Sequence, residues 1–262
     1  MKPPLTVVLG TYNRAHLLRR SLKGYLGAHR SHEIEIIVLD DGSTDDTFKW
    51  CKLFARVLNL KYVRLHKEEN KWRDSAAILN IGIRMAATDG LIVCTHPEVI
   101  PSFNSLAKMV SASEVYPNAY VCCKPYYLSV EQQAELEQRD LDSPEFSLVP
   151  SKHFSLESVR QLPGFYDRKP DIAGNQDYSP SAIENSERWE SWVFGGLRRD
   201  KWREIGGMWE SSTWGTVDVT FLERRRILGI QNVTPQDLDS YVIHQNHDDP
   251  RFNVPTPRDM DK

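Results

Sequence analysis

The stretch Ile34-Glu35-Ile36-Ile37-Val38-Leu39-Asp40-Asp41-Gly42-Ser43-Thr44-Asp45-Asp46-Thr47 decides the fold. An almost unbroken apolar run stops abruptly in carboxylates, a glycine and hydroxyls. Buried parallel strands have this form where they deliver polar side chains to a ligand at their carboxyl ends. Gly42 permits a tight turn, and Ser43 or Thr44 can cap the next helix. Asp40 and Asp41, adjacent at the strand tip, suit hydrogen bonding to the base and ribose of a nucleotide. An ordinary strand–turn–helix junction would read the same way, so the flanking segments have to decide.

Outward from this stretch, strands and helices alternate. Leu5–Leu9 reads as a strand, and Ala15–Tyr25 as a helix with Leu17, Leu18, Leu22 and Tyr25 on one face. A helix over Asp46–Leu58, a short strand at Tyr62–Leu65, a helix over Ser75–Ala87 and a strand at Leu91–Cys94 follow. This spacing predicts an α/β protein with a mostly parallel, Rossmann-like central sheet flanked by helices. Pro101 is expected to open a helix running to about Val115, with Ala119–Cys123 as another strand. Residues 130–190 are polar, carry five prolines and show a single helical candidate at Val130–Arg139. A lid or an acceptor-binding insertion at about 124–190 explains such a length better than a connector. An amphipathic helix at Val217–Leu228 and short strands near Val233 and at Tyr241–His244 complete the pattern.

Composition narrows the partners. With 262 residues and 40% hydrophobic content, the chain can bury a full core as one large domain or two fused halves. A net charge of −3 offers no general attraction to nucleic acid, which is disfavoured as a partner, or to anionic membranes. The four cysteines lack metal-type C-x-x-C spacing and read as reduced, buried thiols. A strand begins by Leu5, and no apolar run approaches the roughly 20 residues needed to cross a bilayer. The expected setting is soluble and cytoplasmic, with no transmembrane segment.

The opening Val7-Val8-Leu9-Gly10-Thr11-Tyr12-Asn13-Arg14 runs from a strand through a polar turn into a helix. Combined with Asp40-Asp41-Gly42-Ser43, it resembles the nucleotide-binding half of the GT-A glycosyltransferases, specifically family 2. Ala77-Ile78-Leu79-Asn80-Ile81-Gly82-Ile83 is similar to that family's helix whose Asn-x-Gly element packs beneath the donor site. The resemblance implies that Thr11, Tyr12, Asn13, Arg14, Asp40 and Asp41 hold the donor nucleotide. Lys71 and Arg73 lie just ahead of the Asn-x-Gly helix, where a diphosphate or sugar would sit. Both could instead solvate a helix start, and Asp74 could be its N-cap.

The fourth element departs from the family pattern. Where members place Asp-x-Asp after the fourth strand, this chain has His96-Pro97-Glu98, followed by the usual hydrophobic-proline tail in Val99-Ile100-Pro101. Glu98 suits magnesium or manganese, and His96 could ligate manganese or reach the donor through water. The resemblance also implies a late histidine on the same metal, which makes His244 and His247 candidates beside Glu98. In Tyr241–His247 the two histidines could equally flank a turn. A divalent metal, Mn2+ or Mg2+, is thus the expected cofactor.

The acceptor half, read as residues 102–262 after a nucleotide-sugar half at 1–101, carries Phe194-Gly195-Gly196-Leu197-Arg198 and then Trp214-Gly215-Thr216-Val217-Asp218. The first resembles the family's acceptor-side segment, where Gly195 and Gly196 would let the backbone approach a sugar. The second is similar to a Trp-Gly-x-Glu-Asp block, with Val217 in place of Glu and Asp218 retained. The resemblance makes Asp218 the general base of an inverting transfer; a first-turn acid favoured by the helix dipole is the alternative. Trp214 is expected to line the acceptor cleft, while most of the seven tryptophans are core. The function expected is transfer of a sugar from a nucleoside-diphosphate sugar, UDP by preference, to a carbohydrate or other hydroxyl-bearing acceptor. A non-catalytic sugar-nucleotide or glycan-binding module and a sugar-nucleotide nucleotidyltransferase are the alternatives; the single glycine in Gly10–Arg14 counts against the latter.

Overall fold

The computed structural model describes residues 4–29, 33–66, 73–128, 133–138, 183–184, 194–210, 217–235 and 240–247. In chain order the elements are β1 (Leu5–Thr11), α1 (Ala15–His29), β2 (Ile34–Asp40), α2 (Thr47–Phe54), β3 (Leu60–Arg64), α3 (Ser75–Met85), β4 (Leu91–Thr95) and β5 (Val99–Pro101). Then come α4 (Ser105–Val115), β6 (Tyr120–Cys122), β7 (Lys124–Tyr127), β8 (Ile183–Glu184) and β9 (Phe194–Arg198). The last are α5 (Arg199–Glu204), α6 (Val217–Ile227), β10 (Asn232–Val233) and β11 (Tyr241–His244), and residues 133–138 are also helical.

An eight-stranded sheet has the order β3-β2-β1-β4-β9-β6-β10-β8. Its first four strands are parallel, with Thr11 opposite Asp40 and Leu9 opposite Thr95. Their carboxyl ends therefore form one edge, and Thr11, Asp40 and the turn after Thr95 meet there. β9 is antiparallel to both β4 and β6 and joins the later segments to the same sheet. Alternating side chains divide the core between the two faces. Val7, Leu9, Ile36 and Val38 pack with Leu18, Leu22 and Tyr25 of α1 and with Trp50 and Phe54 of α2. Val8, Ile37 and Leu39 face Ile78, Leu79 and Ile83 of α3, together with Trp202 and Phe221. Phe221 stacks on Trp202 at 5.6 Å and meets Tyr120 edge-on at 5.3 Å, fastening α6 to the sheet. Burial of that ring alone is worth about 2–3 kcal/mol.

Besides shifts of a few residues at several element ends, two segments differ in kind from the sequence reading. Pro101 does not open a helix: it ends β5, paired with Val242, and α4 starts only at Ser105. Proline lacks an N–H and suits the end of a short strand as well as a first helical turn, so its presence alone cannot distinguish the two. The strand expected at Ala119–Cys123 is divided. Tyr120–Cys122 belongs to the large sheet, whereas Lys124–Tyr127 joins a second sheet of order β5-β11-β7. Asp74 is the N-cap of α3, its carboxylate accepting from Ala76 N at 3.1 Å.

Candidate functional site

The turns after β1 and β2 are built as one unit. Asn13 takes φ +50°, a left-handed conformation that asparagine tolerates better than most residues. From there its amide N–H donates to Ser43 Oγ at 2.9 Å, and its side-chain oxygen accepts from Thr44 N at 2.8 Å. Asp45 completes the lock by accepting from Ala15 N at 2.8 Å, capping α1 from the neighbouring turn. The same carboxylate accepts from Thr47 N and its hydroxyl at 3.1 and 2.6 Å. Gly42, at φ +85°, supplies the bend between them.

Within this unit the two adjacent acids have different surroundings. Asp40 is buried, with one oxygen accepting from Ser43 N at 2.7 Å and the other from Tyr62 Oη at 2.5 Å. Its carboxylate thus shapes the turn, a task the sequence did not disclose. Asp41 is also buried and pairs with Arg73 at 2.6 Å, while Arg73 donates again to the carbonyl of His66 at 2.6 Å. Arg73 is therefore brought to the edge of β2. Beside them the hydroxyl of Thr11 is buried without a hydrogen-bond partner among the described residues. Tyr12 is exposed at the rim of the same turn.

Glu98 occupies the turn between β4 and β5, closed by Val99 N donating to His96 O at 3.2 Å. β11 pairs with β5, placing His244 opposite Val99, and Gln245 N donates to Glu98 O at 2.9 Å. This pairing brings together Glu98, His244 and His247, with one ligand atom from each lying within 4.8 Å of the others. Arg14 joins them, its Nη1 lying 3.5 Å from Glu98 Oε2 and 3.2 Å from His247 Nδ1. The structure thus puts Arg14 against the cluster.

The ionisation states suit a cation. Burial raises the pKa of Glu98, but His96, Arg14, His244 and His247 outweigh it and hold the carboxyl down to about 2. Burial lowers His244 to about 4, despite the opposing pull of Glu98, so its ring is neutral near pH 7. His244 Nδ1 lies 2.9 Å from the carbonyl of Gln245, which assigns the proton to Nδ1 and leaves the Nε2 lone pair for a ligand. One carboxylate with two imidazoles is a donor set well suited to manganese and less so to magnesium, which prefers oxygen throughout.

Gly195 and Gly196 lie on β9 in the middle of the large sheet. A Cβ on Gly196 would stand 2.0 Å from the carbonyl oxygen of Ile92, and one on Gly195 2.5 Å from the Tyr120 hydroxyl. Both glycines thus have a packing reason. Lys71, Trp214 and most of the segment at 124–190 lie outside the described residues. The backbone of Asp218 is in the first turn of α6, and its side chain lies outside the described residues. The sequence reading missed Tyr62, Asp45, Arg20 and Gln245; for Gln245 the available signal was its place between two candidate ligands.

A mostly parallel sheet whose polar turns gather at the carboxyl ends of β1, β2 and β4 is the architecture of the GT-A fold. The family model for glycosyl transferase family 2 matches residues 6–165, and the chain belongs to that family. Chondroitin synthase of Escherichia coli is 34% identical over 82 residues, 31% of this chain and 12% of that protein. Validoxylamine A glucosyltransferase of Streptomyces hygroscopicus subsp. jinggangensis (strain 5008) is 40% identical over 87 residues, 32% of this chain and 20% of that protein. The chain therefore matches only a small part of either relative's length. Among solved structures, S. aureus TarS 1-349 in complex with UDP-GlcNAc has a TM-score of 0.64 at 13% identity, over 95% of this chain and 60% of that one. Mannosyltransferase PcManGT from Pyrobaculum calidifontis, in complex with GDP-Man and Mn2+, has a TM-score of 0.55 at 20% identity, over 94% of this chain and 57% of that one. Among the described residues, no helix is long and apolar enough to cross a membrane.

Proposed function

We propose that this chain transfers a sugar, with inversion, from a nucleoside-diphosphate sugar to an acceptor hydroxyl. UDP is the preferred donor nucleotide. Glu98, His244 and His247 hold a divalent cation, manganese before magnesium. The observation that carries this reading is the convergence of those three side chains beside the edge formed by β1, β2 and β4. Thr11, with its buried hydroxyl lacking a partner among the described residues, and the Asp41–Arg73 pair line the nucleoside end, while Arg14 faces the diphosphate end. The nucleotide complexes of the two solved neighbours support a sugar-nucleotide donor, and the Mn2+ of one supports the metal.

In the reaction, the acceptor oxygen forms a bond to the anomeric carbon as the bond from that carbon to the diphosphate oxygen breaks. Asp218 takes the hydroxyl proton, and the electron pair leaves with the diphosphate. The cation, when bound, supplies charge stabilisation to that leaving group. Arg14 adds a fixed positive charge alongside. Residues 1–101 serve the donor and 102–262 the acceptor, within one GT-A domain. The free, buried thiols of Cys51, Cys94, Cys122 and Cys123 support a reducing setting such as the cytoplasm.

Release of the nucleoside diphosphate across a donor library, with and without Mn2+, tests the proposal. Asp218→Asn should lose about 100-fold or more in turnover yet keep Mn2+-dependent UDP binding. Glu98→Ala should lose that binding as well. Retained UDP binding with no turnover from any donor and acceptor would establish a binding module instead.

A further inference from the structure

The Glu98–His244–His247 cluster is assembled from a turn and a strand end, and Gln245 sits where they join. Its side chain is wholly buried, and each of its polar groups is engaged. The backbone N–H donates to Glu98 O at 2.9 Å, and the backbone carbonyl meets His244 Nδ1 at 2.9 Å. The side-chain amide donates to the carbonyls of Leu17 at 3.1 Å and Pro97 at 3.4 Å, and its oxygen accepts from Arg20 Nε. Arginine can only donate, which fixes the orientation of the amide.

Arg20 is itself buried, and its second arm pairs with Glu137 at 3.1 Å. The grip extends one residue further: Asn246 N donates to Gln133 Oε1 and its side chain to Leu128 O, both at 3.1 Å. Both residues between the two histidines are therefore anchored, one of them to the backbone of the turn that carries Glu98. An apolar side chain would fill the same volume without the cost of burying an amide, so the polar choice has to be explained by the connections it makes.

We propose that Gln245, fixed by Arg20, is the positioning residue of this cluster, setting the separation of Glu98 from the two histidines and hence their affinity for a divalent cation. This rests on the reading of Glu98, His244 and His247 as a cation site. Losing a supporting hydrogen bond behind a metal ligand typically weakens metal affinity by about 10–100-fold.

The test is a Mn2+ titration of the purified chain without nucleotide, followed by the EPR signal of the free ion, alongside thermal melting in EDTA. Gln245→Leu should weaken Mn2+ binding by about tenfold or more. Arg20→Lys, which keeps the charge but loses the Nε contact, should shift it in the same direction. Thr6→Val, which removes the buried Thr6–Glu35 bond at the far end of the sheet, should lower the melting temperature and leave Mn2+ affinity unchanged. Folded Gln245→Leu binding Mn2+ as the wild type does would overturn the proposal. Should that variant fail to fold, wild-type affinity in Arg20→Lys overturns it equally. A wild-type chain that binds no Mn2+ overturns the cation site itself, whereas binding that all variants share overturns the positioning role alone.

Discussion

Replacing Asn80 with alanine should destabilise the protein far beyond the loss of one polar side chain. Asn80 is buried on α3, and its amide treats Met208 as a strand neighbour would. Its oxygen accepts from Met208 N at 2.8 Å, and its nitrogen donates to Met208 O at 3.0 Å and to Glu210 Oε1 at 2.8 Å. Met208 is buried as well, and it is reached through Gly206 and Gly207 at φ +74° and +82°. A Cβ on Gly207 would lie 2.6 Å from Asn80 Oδ1, so the loop is shaped around this amide. Asn80→Ala leaves a buried N–H and a buried carbonyl without partners, at about 1–3 kcal/mol each. Glu210 is exposed and recovers hydration, so its lost bond adds little and the total is about 2–6 kcal/mol. For a chain of this size the loss corresponds to a fall in Tm on the order of 10 °C. Urea unfolding at 25 °C should show a lower midpoint with an unchanged slope. A loss below about 0.5 kcal/mol would refute the reasoning, because Met208 would then have found other partners at negligible cost.

Two further outcomes follow from the geometry. Gly196→Ala puts a methyl group 2.0 Å from Ile92 O and 2.8 Å from Val93 Cα, both main chain, so it should melt lower than Asn80→Ala or fail to fold. Wild-type stability with a raised KM for the acceptor would instead return this glycine to the acceptor site. Acidification from pH 6.5 towards 4 should destabilise the protein, because His244 titrates at about 4 when folded and near 6.5 when unfolded, so the unfolded chain binds the proton first. Allowing for the ring's partial exposure, the effect is on the order of 1–2 kcal/mol, and His244→Gln should flatten the urea midpoint across that window. Glu98 acts in a separate range: its contribution is intact above 4.5 and is lost as pH falls towards about 2.

β1, β2 and β4 were legible because each is a local apolar run buried on both faces and bounded by turn residues, whereas the half-exposed edge strand β3 begins two residues before the stretch at Tyr62–Leu65. The later strands were harder to read. β8 has two residues and β5 three, and their partners, β10 and β11, lie far away in sequence, so no local period announces them. Gly195 and Gly196 looked like an approach surface because a glycine pair signals closeness without saying what comes close. Here, Ile92 and Tyr120 are the near neighbours. Asp40 is a similar case: an acid at a strand tip faces a crevice, but only the fold reveals that Tyr62 and Ser43 N occupy its oxygens. The partnership of Glu98 with His244 was readable because each closes an apolar strand-like segment with a polar ligand type. The register that joins them, Val99 opposite His244, is a property of the second sheet.

The charge pattern around that register bears on how a cation would enter. Arg14 has only donors, so its 3.2 Å approach makes His247 Nδ1 an acceptor and puts the imidazole proton on Nε2, 3.8 Å from Glu98 Oε1. In this arrangement Arg14 supplies the positive charge that Glu98 requires, and His247 offers no lone pair towards it. A cation bound by Glu98, His244 and His247 through the Nε2 atoms would need the proton of His247 on Nδ1, which a facing guanidinium opposes. At the proposed cation site, Arg14 and the cation would thus be alternative neutralisers of one carboxylate. Binding of the cation would release Arg14, a residue of the β1–α1 turn, towards the nucleotide edge that Asn13 and Ser43 hold in place. His244 has no such conflict, because the carbonyl of Gln245 already fixes its tautomer with Nε2 open. Of the two histidines it is the one prepared for a metal, and its replacement should cost more cation affinity than that of His247.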